Sequence, residues 1–245
     1  MRIASNSLLR VSLSLVVMVA VQSVVDDAPA AEVTVQNDSL AKGGQGTIQA
    51  GFVAGESAAS WLTSPCDGNI VAVQVFWRSL LGIAPQSLED SITIFDGGVF
   101  PTPGAQLALL EGPVMTDSVI NEFRFLDENQ TIPINVPVTD GQTFIVSFKF
   151  FNTPDQTVGP SVVNDTGCQA GRNTIDAVGF GWVSSCLRGV SGDWVIRAVV
   201  ECGAQPGACC EGSGVCNDGT TAVACGAAGG AYQGNGSNCA GSACN

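Results

Sequence analysis

The chain is predicted to be all-β: an antiparallel β-sandwich, jelly-roll-like in topology, followed by a small disulfide-rich C-terminal module. Three observations carry that expectation. Apolar residues recur at every second position in several runs of the region 31–202, the period of a strand with one buried face. No 3.6-residue amphipathic stretch follows the first thirty residues. Six of the ten cysteines fall in the segment from Cys209 to Cys244, where almost no other side chain is large and apolar.

Taken in chain order, residues 1–30 read as an export signal. Arg2 and Arg10 give a basic start, Val11 to Val21 is mostly apolar, and Ala28-Pro29-Ala30 offers small residues at a cleavage position. The apolar run is broken by Ser12 and Ser14 and is too short for a bilayer, which needs about 20 apolar residues. After its removal no transmembrane segment is expected. The formal charge of −13 is unchanged by cleavage, because Arg2 and Arg10 leave together with Asp26 and Asp27.

Residues 31–202 form the expected sandwich. Val71, Val73, Val75 and Trp77 alternate along Asn69 to Arg78, and Ile132, Ile134, Val136 and Val138 alternate along Thr131 to Val138. Phe144, Val146, Phe148 and Phe150 form a third stripe opposite Ser147 and Lys149. Trp194, Ile196, Ala198 and Val200 form a fourth, opposite Arg197. Thr139-Asp140-Gly141-Gln142 lies between the second and third stripes, and its Asp-Gly pair tolerates the positive φ of a tight hairpin. Pro133 and Pro137 lack amide donors, so the Ile132 strand is expected either at a sheet edge or with those positions turned away from a neighbouring strand. Further strands are expected at Glu32 to Gln36, Thr47 to Val53, Ser91 to Phe95, Ala105 to Leu110, Val119 to Phe125 and Ala177 to Val183.

The sandwich holds Cys66, Cys168, Cys186 and Cys202. Four cysteines allow three connectivities. Joining Cys66 to Cys202 would clamp the two ends of the domain, and joining Cys168 to Cys186 would staple a Gly-rich loop, so this pairing is the expected one. Residues 203–208, with Gly203 and Pro206-Gly207, read as a linker.

Residues 209–245 carry Cys209, Cys210, Cys216, Cys225, Cys239 and Cys244. Ordering a residue's backbone costs about 1–2 kcal/mol, and side chains no bulkier than Val215, Val223 and Tyr232 recover little of it by burial. Three disulfides, typically worth about 2–4 kcal/mol each, supply the constraint instead. Zinc would favour close C-x-x-C pairs, often with histidine. The gaps here are zero, five, eight, thirteen and four residues, and the chain has no histidine. An oxidising, extracellular or cell-surface location follows.

This tail resembles a cysteine-rich module of secreted proteins from environmental bacteria, with the form G-A-C-C, G-x-C, a lone C, G-G-x-Y-x-G-x-G-S-x-C and a final C. Those elements are here Gly207 to Cys210, Gly214 to Cys216, Cys225, Gly229 to Cys239, and Cys244. The resemblance implies location and no particular chemistry. The run Gly192 to Ala198 is similar to the closing strands of accessory jelly-roll domains in secreted bacterial proteins.

Composition excludes several functions. Without histidine, Ser-His-Asp and Cys-His nucleophile systems and His-based zinc hydrolysis cannot be built. The acidic charge disfavours nucleic acid and anionic membranes. Lys149 reads as a solvated strand lysine. Glu89, Asp90, Asp96, Glu111, Glu122, Asp127 and Glu128 are carboxylates from which an acid and a base could be drawn, but nothing in the sequence pairs two of them. No catalytic, cofactor-binding or metal residue is therefore assigned. Calcium is the one cofactor that the oxygen-rich turns Asp127-Glu128-Asn129, Asn164-Asp165-Thr166 and Asn217-Asp218-Gly219 could take, although such residues populate turns for local reasons too.

Among the tryptophans, Trp77 and Trp194 are in phase with core stripes, and Trp61 is ambiguous. Trp182, with Gly179 and Gly181 nearby, is the expected ligand platform. The expected function is that of a secreted, non-catalytic binding or cell-surface structural protein that recognises polysaccharide or another cell-surface component. A carboxylate-dependent glycoside hydrolase or lyase is the alternative.

Overall fold

A computed structural model describes residues 31–80, 82, 84–151, 161–203, 206–235, 237–241 and 244; the segment 1–30, read as an export signal, lies outside them. The strands of the larger unit are β1 (Ala31–Val35), β2 (Thr47–Ala50), β3 (Ser57–Thr63), β4 (Gly68–Trp77), β5 (Gln86–Leu88), β6 (Ser91–Asp96), β7 (Gln106–Glu111) and β8 (Val114–Thr116). They continue as β9 (Val119–Phe123), β10 (Val136–Val138), β11 (Thr143–Lys149), β12 (Ser161–Asn164), β13 (Asn173–Ala177), β14 (Gly181–Ser184) and β15 (Ile196–Cys202). One sheet runs β1-β15-β4, with β10 and β9 pairing successive stretches of the far edge of β4. The other runs β14-β13-β3-β11-β6-β7. Short ribbons β12-β2 and β5-β8 flank them. The two sheets bury a common core, all-β and antiparallel as the alternation predicts.

The third and fourth stripes lie in that core throughout: Phe144, Val146, Phe148 and Phe150 face Trp194, Ile196, Ala198 and Val200. Trp77 and Trp194 are fully buried. Thr174 holds two indoles at once. Its carbonyl accepts Nε1–H of Trp194 at 3.2 Å from the core side, and its hydroxyl accepts Nε1–H of Trp61 at 3.1 Å from the outer side.

The first stripe shifts phase. Val199 faces Ala72 while Val200 faces Ile70, so Val71 is the extra residue of a β-bulge. Ile70, not Val71, therefore joins Val73, Val75 and Trp77 in the core. The second stripe is shorter than expected. Ile134, Val136 and Val138 are buried, Ile132 is exposed, and only the last three residues form a strand. That strand does lie at a sheet edge, one of the two placements its prolines allow.

The Asp-Gly turn forms, with Gly141 at φ 75° and the Gln142 amide donating to Thr139 O at 3.0 Å, but it does not close a hairpin. β10 pairs with β4 in one sheet, and β11 pairs with β3 and β6 in the other. The turn carries the chain between layers, because two stripes that are each apolar on one side are both covered when they face each other across the core. The expected strand Ala177 to Val183 is likewise two strands. The Phe180 amide donates to Ala177 O at 2.9 Å around Gly179 at φ 81°, so the segment turns back on itself as the β13–β14 hairpin.

Arg197, on the face away from the core, is covered rather than solvated. Its Nε and Nη2 donate to the two carboxylate oxygens of Asp38 at 2.7 and 2.6 Å, and both residues are buried. Beside this pair Asp165 accepts the amides of Ser39 and Asp193. Asp193 accepts from Asn173 and Gln169, and burial raises its carboxyl above the usual range against those bonds. Gly192 is required here, since a Cβ would lie 1.6 Å from Asp165 O.

Cys66 is bonded to Cys202, 136 residues away, and Cys168 to Cys186, the expected pairs. In the tail, β16 (Gly207–Cys210) lies between β17 (Cys216–Thr220) and β18 (Ala231–Asn235), with one short helix, α1 (Ala222–Ala227). Strand β16 thus begins inside the segment expected as linker. The helix, which no amphipathic pattern announced, is started by Thr221, whose hydroxyl accepts the Ala224 amide at 3.2 Å. Disulfides Cys209–Cys225, Cys210–Cys244 and Cys216–Cys239 tie these pieces together. Cys209 and Cys225 are buried, so sulfur fills the place of a core. A Cβ on Gly230 would meet Cys209 Sγ at 2.5 Å. Among the described residues no helix is long and apolar enough to cross a membrane.

Candidate functional site

The outer face of the six-stranded sheet carries residues that the core does not use. Antiparallel register aligns one residue from every strand into a single row across it. Trp182 on β14 faces Asp176 on β13, Asp176 faces Ser57 on β3, and Ser57 faces Lys149 on β11. Lys149 then faces Ser91 on β6, and Ser91 faces Glu111 on β7. At about 4.8 Å per strand the row spans roughly 24 Å. All six line one open depression of about 580 Å³.

The depression exists because the middle of the face is made of small side chains. Ser57, Ala59 and Ser147 sit on the central strands, while Phe95 and Trp182 stand further out. Trp182 is half-buried and meets Phe95 edge-on, with ring centroids 6.2 Å apart. Ala59, Trp61 and Ile145 form a small apolar cluster beneath them, and Phe100 packs edge-on against Trp61 at 5.2 Å. The expected platform is therefore braced on one side by other rings, and only part of Trp182 is open. Trp61 is a buried support.

Charge completes the face. Lys149 Nζ lies 3.4 Å from Asp90 Oδ1, so the lysine is paired rather than simply solvated. Asp176 is raised above the usual carboxylate range, first by burial, with Lys149 opposing and Glu56 adding to the rise. Glu56 is pinned by the amides of Val53 and Val178. Three carboxylates, Asp90, Asp176 and Glu111, and one ammonium thus face the groove.

The carboxylates singled out in the sequence divide among several places. Asp90 and Glu111 border the groove. Glu122, Asp127 and Glu128 line a separate cleft with Glu111. Asp96 caps its own turn by accepting the Gly97 amide. Glu89 is 2 % exposed and accepts from Ser87 Oγ and the Phe151 amide, both at 2.8 Å. Burial pushes its carboxyl up to about 7 against those two bonds.

Because the unfolded chain releases the Glu89 proton near 4.5, the folded state binds it more tightly. Its stabilisation is complete below that pH and is lost as pH rises through about 7, by roughly 3 kcal/mol in all. Glu89→Gln keeps both bonds, with Oε1 accepting from Phe151 and Nε2 donating to Ser87. Urea unfolding of this variant is expected to lose that pH dependence and to show greater stability than the native chain at pH 8.

The three oxygen-rich turns are internally bonded. Asp127 accepts the Thr131 and Ile132 amides and the Thr131 hydroxyl, which hold its carboxyl below the usual range. Asp165 is buried with two amides, as above. Asp218 accepts the Cys239 amide at 2.6 Å, and Asn217 donates to Glu211. A calcium ion at any of them would compete with these bonds. The sulfurs of Cys210, Cys216 and Cys244 lie within 4.8 Å of one another, but each is already bonded to another sulfur.

Asp176, Ser57, Ser91 and Phe95 escaped the sequence reading of the site. Alternation in Ser91-Ile92-Thr93-Ile94-Phe95 does separate an outer set from a core set. Which outer sets become neighbours is decided by pairing between strands far apart in sequence. Fold and face together define a β-sandwich with an aromatic-flanked, polar groove across one sheet. No protein-family model, curated protein or solved structure matches the chain.

Proposed function

We propose that this is a secreted, non-catalytic binding protein of the extracellular space or cell surface, and that it recognises polysaccharide on the outer face of its six-stranded sheet. The row from Trp182 to Glu111 carries the reading. A pyranose ring presents an apolar C–H face and a rim of hydroxyls; the open part of Trp182 suits the first, and Asp176, Ser57, Lys149, Asp90 and Glu111 suit the second. Both ends of the row are sheet edges, so a chain can cross without terminating there. Five disulfides support the assignment to an oxidising compartment.

Pull-down with insoluble polysaccharides and a glycan array test this. Binding is expected to depend on the face, with Trp182→Ala weakening it at least tenfold and Asp176→Ala weakening it several-fold while the fold persists. No binding to any glycan, combined with regular self-assembly, would instead make the protein a coat or matrix component.

The hydrolase or lyase reading draws on Asp176, a carboxyl with a raised pKa in a groove. Of the other two groove carboxylates, Asp90 is paired with Lys149, and Glu111 in the same row is four strands away, about 19 Å at the usual spacing, whereas paired glycosidase carboxylates stand about 5–9.5 Å apart. Release of reducing ends from a bound polysaccharide, abolished by Asp176→Asn, would reverse the preference.

A further inference from the structure

Where β7 ends one sheet and β9 ends the other, the sandwich gapes into a cleft of about 670 Å³, within the usual range for small-ligand sites of about 300–1,000 Å³. Its floor is apolar. Leu110 belongs to the core, and Phe123 and Leu126 pack against it while remaining partly open to the cleft. Its rim is acidic, with Glu111, Glu122, Asp127 and Glu128.

Among the residues lining the cleft Arg124 is the single cation, and its charge is already engaged. It donates from Nη1 and Nη2 to the two oxygens of Glu32 at 2.7 and 2.9 Å, and from Nε to Glu122 at 2.7 Å. Glu111 and Glu128 line the cleft and are exposed, and Asp127 stays ionised under its three local bonds.

The wall carrying these acids is held in shape. The Leu126 amide donates to Ile132 O and the Ile134 amide to Arg124 O, both at 2.8 Å, and the Gln130 amide donates to Asp127 O at 3.2 Å. Gln130, which also lines the cleft, adopts φ 57°. A residue with a side chain occupies that left-handed region at a cost, and such positions concentrate at functional sites. A preorganised wall reduces the ordering lost when a ligand binds.

The geometry points to a binding site for a small organic cation with an apolar body, which places its hydrocarbon on Leu110, Phe123 and Leu126 and its ammonium or guanidinium at the Glu111–Glu128 rim. This site is argued separately from the polysaccharide reading, since it is a second cleft and needs no sugar. Glu111 alone borders both.

Calorimetric titration of the full chain with octylammonium, octanol and octanoate tests it. Octylammonium is expected to bind at least tenfold more tightly than octanoate, with octanol between them, and the preference is expected to shrink as salt screens the rim. The double variant Glu111→Gln/Glu128→Gln should cut the octylammonium affinity at least fivefold and leave octanol unchanged, whereas Asp140→Asn, an acid removed elsewhere, should change neither. Leu126→Arg should abolish binding of all three. Equal affinity for octylammonium and octanoate, an equal effect of Asp140→Asn, or no binding of any probe would overturn the assignment. Each of these outcomes is readable whether or not a glycan binds the groove.

Discussion

Replacing Cys66 and Cys202 together by alanine is expected to lower the stability of the sandwich by about 5 kcal/mol, because the bond closes a loop of 136 residues and the entropy it removes from the unfolded chain grows with loop length. The bond also has a local role. Cys66 lies just before β4, Cys202 ends β15, and these two strands pair side by side at that point, with Cys202 opposite Gly68. Denaturant unfolding of the double variant against the native chain measures the loss as a fall in midpoint, with a steeper slope because the unlinked denatured chain is more expanded. A loss below about 1 kcal/mol would show that strand pairing, not the covalent clamp, holds the domain's ends.

Asp38→Ala is expected to cost about 3–5 kcal/mol, because it strands the buried guanidinium of Arg197 without its bidentate partner. The pair itself is worth much less than that figure, since taking both charges out of water nearly offsets their attraction. Asp38→Leu combined with Arg197→Met should therefore recover most of the loss. Equilibrium unfolding of the single and double variants separates the two terms. Equal destabilisation by both would mean that the pair holds the segment after β1 in place through geometry that apolar side chains cannot reproduce.

Much of the fold was legible because alternation is a local property. Phe144 to Phe150 and Trp194 to Val200 declare their buried faces without reference to any partner, and both face the core. The strand Ser57–Thr63 was missed for a related reason: six of its seven residues are buried on one face or the other, so the sequence shows a run of small residues rather than an alternation. The bulge at Val71 and the interlayer turn at Thr139 to Gln142 were also hidden. Each depends on what lies on the neighbouring strand, and an Asp-Gly turn has the same local chemistry whether it closes a hairpin or crosses between sheets.

The candidate site was legible only in part. Trp182 stood out for its flanking glycines, but its neighbours Asp176, Ser57, Lys149, Ser91 and Glu111 are dispersed over some 120 residues of chain and meet only through register. The acids of the cleft were each visible as acids. Their shared position over an apolar floor was not.

By itself the amino-acid sequence determined the all-β class, the cross-linked tail and the chemistries that a chain without histidine cannot perform. These follow from composition and from short-range periodicity, which need no knowledge of distant residues. The tertiary structure decided which stripes face each other, that Arg197 is buried against Asp38, and which polar side chains share one groove. Those facts arise from long-range antiparallel pairing, where a shift of one residue would send every outward side chain to the opposite face.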